Sequence, residues 1–387
     1  MGAGLGLTQL IAFGTSLYLL TILSEPIRVS TGWGLPWITG GLSIGVLAGS
    51  VISPLVGRRI GRGQARQVLS LSSLCFAAGL TIIGLSSGLP IYIAGWILVG
   101  LGMASGLYDA VFSALGRFYG REARPIISSV ALLGGFASTV FWVLSGALVE
   151  LVGWRGTCFV YAGIHVLVAL PLYRVLLPRS GRVAGEPATA PSVEGLAEDA
   201  APRPVVVWLT AGIFMVEALV ATTVGVHLVN LLLAQGLTTT AAIGAAALIG
   251  PAQVAARFAE MSAGSRFHPV LTTTGALIAI CLGLAILAVW PGAVVPAIIM
   301  YGAGIGVFSI ARGTLPLAIF GPGQYPVIMG RIARPIAITQ AIAPTLGAFL
   351  VASMAPAHAF AVIALVALCC VFAALSLKVL ASRVHQA

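Results

Sequence analysis

A chain of 387 residues that is 59% hydrophobic and only 8% charged, with a mean hydropathy of +1.07, has the composition of a polytopic membrane protein rather than a water-soluble domain. Its formal net charge of +10 does not point to nucleic acid, because the basic residues are arginines of short loops plus one lysine, Lys378, the pattern that orients helices in a bilayer. Cys75, Cys158, Cys281, Cys369 and Cys370 lie in or beside apolar runs without metal-ligand spacing, so neither a disulfide framework nor a metal or other cofactor is expected.

Met1 to Gln9 lacks the basic n-region and cleavage site of a secretory signal, so the first apolar stretch is expected to stay as a membrane helix. Windows of about 20 residues, broken where Arg, Pro and Gly cluster, predict twelve spans. They run over 5–24, 36–57, 68–87, 90–116, 125–149, 156–177, 204–233, 239–258, 269–289, 293–319, 327–353 and 358–381. Arg28 and Arg155 then fall on one side, while the other loop basic residues, Arg257 among them, fall on the opposite side. Both termini are therefore expected in the cytoplasm. The polar stretch 178–203, with Glu186, Glu194, Glu198 and Asp199, reads as a flexible cytoplasmic linker. It divides the chain into six-helix bundles at 1–177 and 204–387, an all-α membrane protein.

The halves carry an internal echo. Gly100-Leu101-Gly102 followed by Gly120 in span four answers Gly302-Ala303-Gly304 followed by Gly321 in span ten. The next spans open alike, Ala123-Arg124-Pro125-Ile126 against Ala333-Arg334-Pro335-Ile336. Repeats of this kind are a hallmark of secondary transporters. Gly302-x-Gly-x-Gly is no nucleotide loop, since no strand precedes it and it lies within a span.

The 6+6 pattern with a central linker resembles the major facilitator superfamily, over essentially the whole chain. The resemblance is strongest between spans two and three, in Gly57-Arg58-Arg59-Ile60-Gly61-Arg62-Gly63-Gln64-Ala65-Arg66-Gln67-Val68-Leu69. Gly57, Arg62, Arg66 and Val68-Leu69 match the family signature, whereas its usual Asp is Gly61 and a usual Gly is Gln64. The acid of the family's inward ion-pair lock is thus missing. Gly153-Trp154-Arg155 also looks like a family feature, with Trp154 expected at headgroup depth and Arg155 snorkelling. The resemblance implies a functionally monomeric transporter whose two halves rock about a midplane site lined by spans one, four, seven and ten.

Asp109, Glu217 and Arg312 are charges inside apolar spans, where each costs on the order of 3 kcal/mol and so marks a partner or a wet pathway. They map onto spans four, seven and ten. At about 1.5 Å of rise per residue, Glu217 falls within roughly 5 Å of the midplane, and Asp109 and Arg312 about 10 Å to its cytoplasmic side. Glu217 is expected to carry a proton and Arg312 to contact an anion, while Asp109 serves as gate partner or second titrating group, with Arg62 and Arg66 at the same gate. Each charge also has a structural reading as a fixed interhelical tie. Gln9, Tyr18, Tyr108, Asn230 and Gln340 extend the candidate substrate site, and His227 is a further titrating candidate two turns from Glu217.

These residues lead to an expectation of proton-coupled transport of a small organic anion, monocarboxylate-like, across a bacterial cytoplasmic membrane. Efflux of a small toxic solute such as arsenite, or of a drug, is the alternative. Thr8-Gln9-Leu10-Ile11 and Arg312-Gly313-Thr314-Leu315-Pro316 resemble a bacterial subgroup that includes arsenite-efflux permeases. A non-transporting receptor or an intramembrane enzyme is the reading from another class; the five histidines are scattered and no H-E-x-x-H occurs.

Overall fold

The computed structural model describes residues 1–178, 204–263 and 267–384. Linker residues 179–203, and Arg266 with them, lie outside the described residues. Every regular element among the described residues is helical. Span one is α1 (Gly2–Gly14) and α2 (Leu19–Thr31), span two α3 (Leu35–Gly61), and span three α4 (Ala65–Leu85). Span four is α5 (Leu89–Gly106) and α6 (Tyr108–Tyr119). Then come α7 (Ala123–Gly134), α8 (Ala137–Ile164), a π turn at His165–Ala169 and α9 (Leu170–Leu176). The rest of the chain forms α10 (Pro204–Ala234), α11 (Thr239–Ala247), α12 (Ile249–Ala263), α13 (Pro269–Val289), α14 (Val294–Ser353) and α15 (Pro356–Val384). Prolines in the first turn set the starts of α3, α5 and α13, where a missing N–H costs nothing.

Among the described residues, ten helical segments are long and apolar enough to cross a membrane. Two of them, Ala123–Leu176 with 54 residues and Pro291–Ser353 with 63, exceed twice the ~20 residues of one crossing. Each contains a glycine at positive φ, Gly153 (φ 70°, ψ 172°) in the first and Gly321 (φ 68°, ψ 167°) in the second, where a Cβ would be strained. These breaks fall in the gaps expected between spans five and six and between spans ten and eleven.

Two compact units emerge, Met1–Gly195 with Phe320–Ala337, and Leu196–Ile319 with Ile338–Ala387. The first has a core of large side chains that includes Phe76, Tyr92, Trp96 and Tyr161. Tyr92 Oη donates to the Ile38 carbonyl at 3.0 Å, which ties span four to span two. In the same unit Trp154 is buried and donates from Nε1 to Ser30 Oγ at 2.7 Å. Arg155 beside it is half-buried. Its guanidinium lies 4.2 Å from the Trp154 ring and donates to the Gly84 and Ser86 carbonyls at 2.8 and 2.7 Å. The orphan carbonyls at the end of α4 offer it stronger partners than water does.

The glycine echo has a packing counterpart in each unit. Gly100 and Gly102 of span four abut Gly45 of span two and Phe76 of span three. Gly302 and Gly304 of span ten abut Ile249 and Ala252 of span eight, and Ala276 and Ile280 of span nine. The small residues let equivalent helices approach in both halves. The sequence match is longer than the tetrapeptides, since Gly120-Arg121-Glu122-Ala123-Arg124-Pro125-Ile126 and Gly330-Arg331-Ile332-Ala333-Arg334-Pro335-Ile336 differ at one position. Gly120 sits in a turn with φ 54°, but Gly330 lies inside a helix and the second half turns earlier, at Gly321. The intervening helical stretch belongs to Phe320–Ala337, the segment that groups with the first unit.

Candidate solute and proton site

In the first unit the span interiors are interrupted. The helix of span one stops at Gly14 and resumes at Leu19, and span four breaks at Leu107, whose φ −81° and ψ −175° are extended. A broken helix in an apolar medium leaves backbone groups that side chains must satisfy. Gln9 does so at span four. Its Nε2 donates to the Gly106 carbonyl at 2.7 Å and lies 3.5 Å from Tyr173 Oη of α9. Gln9 is fully buried, and its Oε1 has no partner. Thr15, at the end of α1, is 2.8 Å from both the Ile11 carbonyl and Nε2 of His165, the residue that opens the π turn. The carbonyl can only accept, so the Thr15 hydroxyl donates to it and accepts from His165 Nε2–H. His165 stacks on Phe76 with ring centroids 4.7 Å apart.

Tyr108 and Asp109 follow the span-four break. Tyr108 is half-buried; its hydroxyl donates to the Ala131 carbonyl at 3.1 Å and its ring stacks on Phe112 at 4.8 Å. Asp109 is half-buried in the first turn of α6, where the positive end of the helix dipole favours a carboxylate. Tyr18 lies at the span-one break, edge-on to Trp142 with centroids 6.0 Å apart. Arg62 is exposed just past α3, and Arg66 is half-buried in the first turn of α4. Gly61, which stands where the family signature has an acid, offers its backbone carbonyl to Nε of the buried Arg117 at 3.4 Å.

The second unit gathers charge. Glu217 is buried in the middle of α10, in the electrostatic neighbourhood of Arg312 and Tyr301 of span ten and of Cys370 of span twelve. Arg312 is half-buried in α14. Cys370 Sγ donates to the Ile213 carbonyl at 3.6 Å, one turn before Glu217, which ties span twelve to this part of α10. His227 Nε2 lies 2.9 Å from the Pro344 carbonyl, and Thr223 Oγ1 donates to the Ala343 carbonyl at 3.4 Å. The carbonyl fixes Nε2 as a proton donor, so His227 ties span seven to span eleven. Asn230 is exposed and Gln340 half-buried.

One residue of this unit escaped the sequence reading. Arg257, counted there as a loop charge, is buried in α12. Its Nε donates to Ser309 Oγ of span ten at 2.9 Å and its Nη2 to Gln253 Oε1 at 3.2 Å, while Nη1 is buried without a hydrogen-bond partner. A buried guanidinium with an unused donor is costly unless something anionic completes it. The signal was the i, i+4 pair Gln253 and Arg257 after Pro251, which puts both on one helix face.

Long apolar helices in two units, a duplicated glycine scaffold and ionisable groups buried in spans define a multi-pass membrane transporter of the secondary type. The chain belongs to the Major Facilitator Superfamily, whose family model matches residues 5–333. It is similar to human monocarboxylate transporter 6, with 30% identity over 115 residues. That stretch is 29% of this chain and 22% of the human protein. Among solved structures, the proton:xylose symporter XylE bound to 6-bromo-6-deoxy-D-glucose aligns with a TM-score of 0.72 and 13% identity, over 96% of this chain and 93% of XylE. The human organic anion transporter MFSD10 aligns at 0.71 with 16% identity, covering 96% and 98% of the two chains. FucP in its outward conformation aligns at 0.70 with 14% identity, covering 95% and 98%. At these identities the likeness establishes the fold.

Proposed function

We propose that this chain carries a small organic anion, monocarboxylate-like, together with protons across a bacterial cytoplasmic membrane. The observation that carries this reading is the charge inventory of the second unit, in which a buried carboxyl and two arginines occupy span interiors. Arg257, with Nη1 unused, and Arg312 are the anion contacts. A guanidinium fork suits a carboxylate because two parallel N–H donors meet two oxygens. Glu217 takes up and releases the proton, and Asp109 is the second titrating group and the partner of Arg62 and Arg66 at the gate. Tyr18, Tyr108, Asn230 and Gln340 supply neutral polar contacts, and Gln9 braces the span-four break behind them. The halves 1–177 and 204–387 rock about the linker 178–203, with both termini in the cytoplasm, and the chain works as a monomer. The similarity to a monocarboxylate transporter and to an organic anion transporter supports the substrate class.

Purified protein in proteoliposomes with an imposed pH gradient tests the reading against a panel of labelled monocarboxylates, dicarboxylates, neutral sugars and arsenite. Gradient-driven flux of one or more carboxylates is the expected result. Flux of arsenite or sugar alone would replace the substrate class, and no flux for any solute would favour a non-transporting protein.

A further inference from the structure

The first unit holds a helix contact that accumulates like charge. Gly57 of α3 and Gly330 of α14 meet backbone to backbone, and a Cβ built on either would lie 2.9 Å from the other's Cα. Glycine at both positions is what permits the approach. Arg58 and Arg59 follow Gly57 directly and Arg331 follows Gly330, with Arg62 and Arg334 one turn further on. All five side chains are exposed. None makes an ion pair among the described residues, and the family signature's acid is here Gly61. The buried Arg117 adds a further positive charge behind Gly61.

The α3 arginines also continue a stripe of exposed apolar residues. On α3, Val51 and Leu55 share the face of Arg58, Arg59 and Arg62 at helical spacing. An amphiphile with apolar chains and an anionic head has the matching pattern, whereas a soluble anion uses only half of it. We propose that the ends of span two and of the Gly330–Arg334 stretch form a binding surface for the phosphate of an anionic phospholipid, whose acyl chains lie along the apolar stripe of α3. The arginine forks grip phosphate oxygens, and the bound headgroup offsets the repulsion that the Gly57–Gly330 contact concentrates.

The test uses full-length protein in nanodiscs of phosphatidylcholine, alone or mixed with phosphatidylglycerol of the same chain length. Thermal unfolding and lipid retention in native mass spectrometry are the two readouts. Wild type is expected to unfold at a higher temperature and to retain phosphatidylglycerol selectively. Arg58→Gln with Arg331→Gln should lose both effects, Arg58→Lys with Arg331→Lys should keep part of them, and Arg174→Gln, an exposed arginine off the stripe, should keep them fully. An equal phosphatidylglycerol effect in the double glutamine variant would overturn the proposal. So would full reproduction of the effect by inorganic phosphate in phosphatidylcholine alone, which would make a soluble anion the occupant. A response that appeared only after neutralising Glu194, Glu198 and Asp199 would assign the arginines to the linker and overturn it as well.

Discussion

The two units share a scaffold and differ in what they bury. In both, glycines of the fourth helix of the half seat it against the second and third, Gly100 and Gly102 in one and Gly302 and Gly304 in the other. The first unit places neutral hydrogen-bonding groups at interruptions of its helices, Gln9 on Gly106 and Thr15 on His165, and keeps its buried arginine, Arg117, at the Gly61 carbonyl by the end of α3. The second fills its interior with ionisable groups, Glu217 and Arg257. Broken helices need satisfied, neutral partners to stay ordered in an apolar medium, whereas buried charges are retained where they can be completed by something that comes and goes.

That contrast is open to attack from either side, and the largest effect is expected in the second unit. Arg257→Gln removes the unused Nη1 donor, and loss of one partner of a buried charged contact costs about 2–5 kcal/mol. Substrate affinity measured by binding or counterflow should fall about 30-fold or more. Unchanged affinity would make Arg257 a structural tie between spans eight and ten and erase the difference between the units. Gln9→Leu is next. It removes the shorter of the two donors to the Gly106 carbonyl, leaving Tyr173 Oη at 3.5 Å, and should cost about 1–3 kcal/mol, read as a lower unfolding temperature, with a far smaller effect on substrate affinity than Arg257→Gln has. If Gln9→Leu weakened substrate binding as strongly, Gln9 would be a substrate contact and the neutral groups of the first unit would carry chemistry after all. Thr15→Val should give the smallest effect, about 1 kcal/mol in stability, because it loses the hydroxyl's links to His165 and to the Ile11 carbonyl, which keeps its backbone donor. Combining it with Gln9→Leu sharpens the picture: additive losses mean two independent braces, and a deficit means that they hold one element together.

Much of this was legible in the sequence because it rests on hydropathy and spacing. The positions of the spans, the paired glycines and the three intramembrane charges follow from which residue types an apolar slab tolerates. The remainder depends on three-dimensional competition for partners. Arg257 read as a loop charge because it falls at the edge of a span, and only the neighbours Ser309 and Gln253 reveal that it is buried. Trp154 and Arg155 read as interface anchors from their residue types alone, and the partners they take, Ser30 Oγ for the indole and the carbonyls at the end of α4 for the guanidinium, lie far away in the chain. The break at Leu107 gave no signal of its own, since neither Gly106 nor Leu107 forbids a helix. The Gln9 amide that satisfies it comes from a residue 97 positions away in the chain. The shift of the duplicated Gly-Arg-x-Ala-Arg-Pro-Ile segment relative to the turn at Gly321 was likewise hidden, because sequence similarity carries no record of where a helix ends.

The central claim, that the second unit carries the proton, is tested most directly by Glu217→Gln in proteoliposomes loaded with a transported carboxylate. The account predicts that accumulation driven by an imposed pH gradient is lost, while exchange of labelled for unlabelled substrate without a gradient persists. Gradient-driven accumulation at the wild-type level in the Glu217→Gln protein would contradict it.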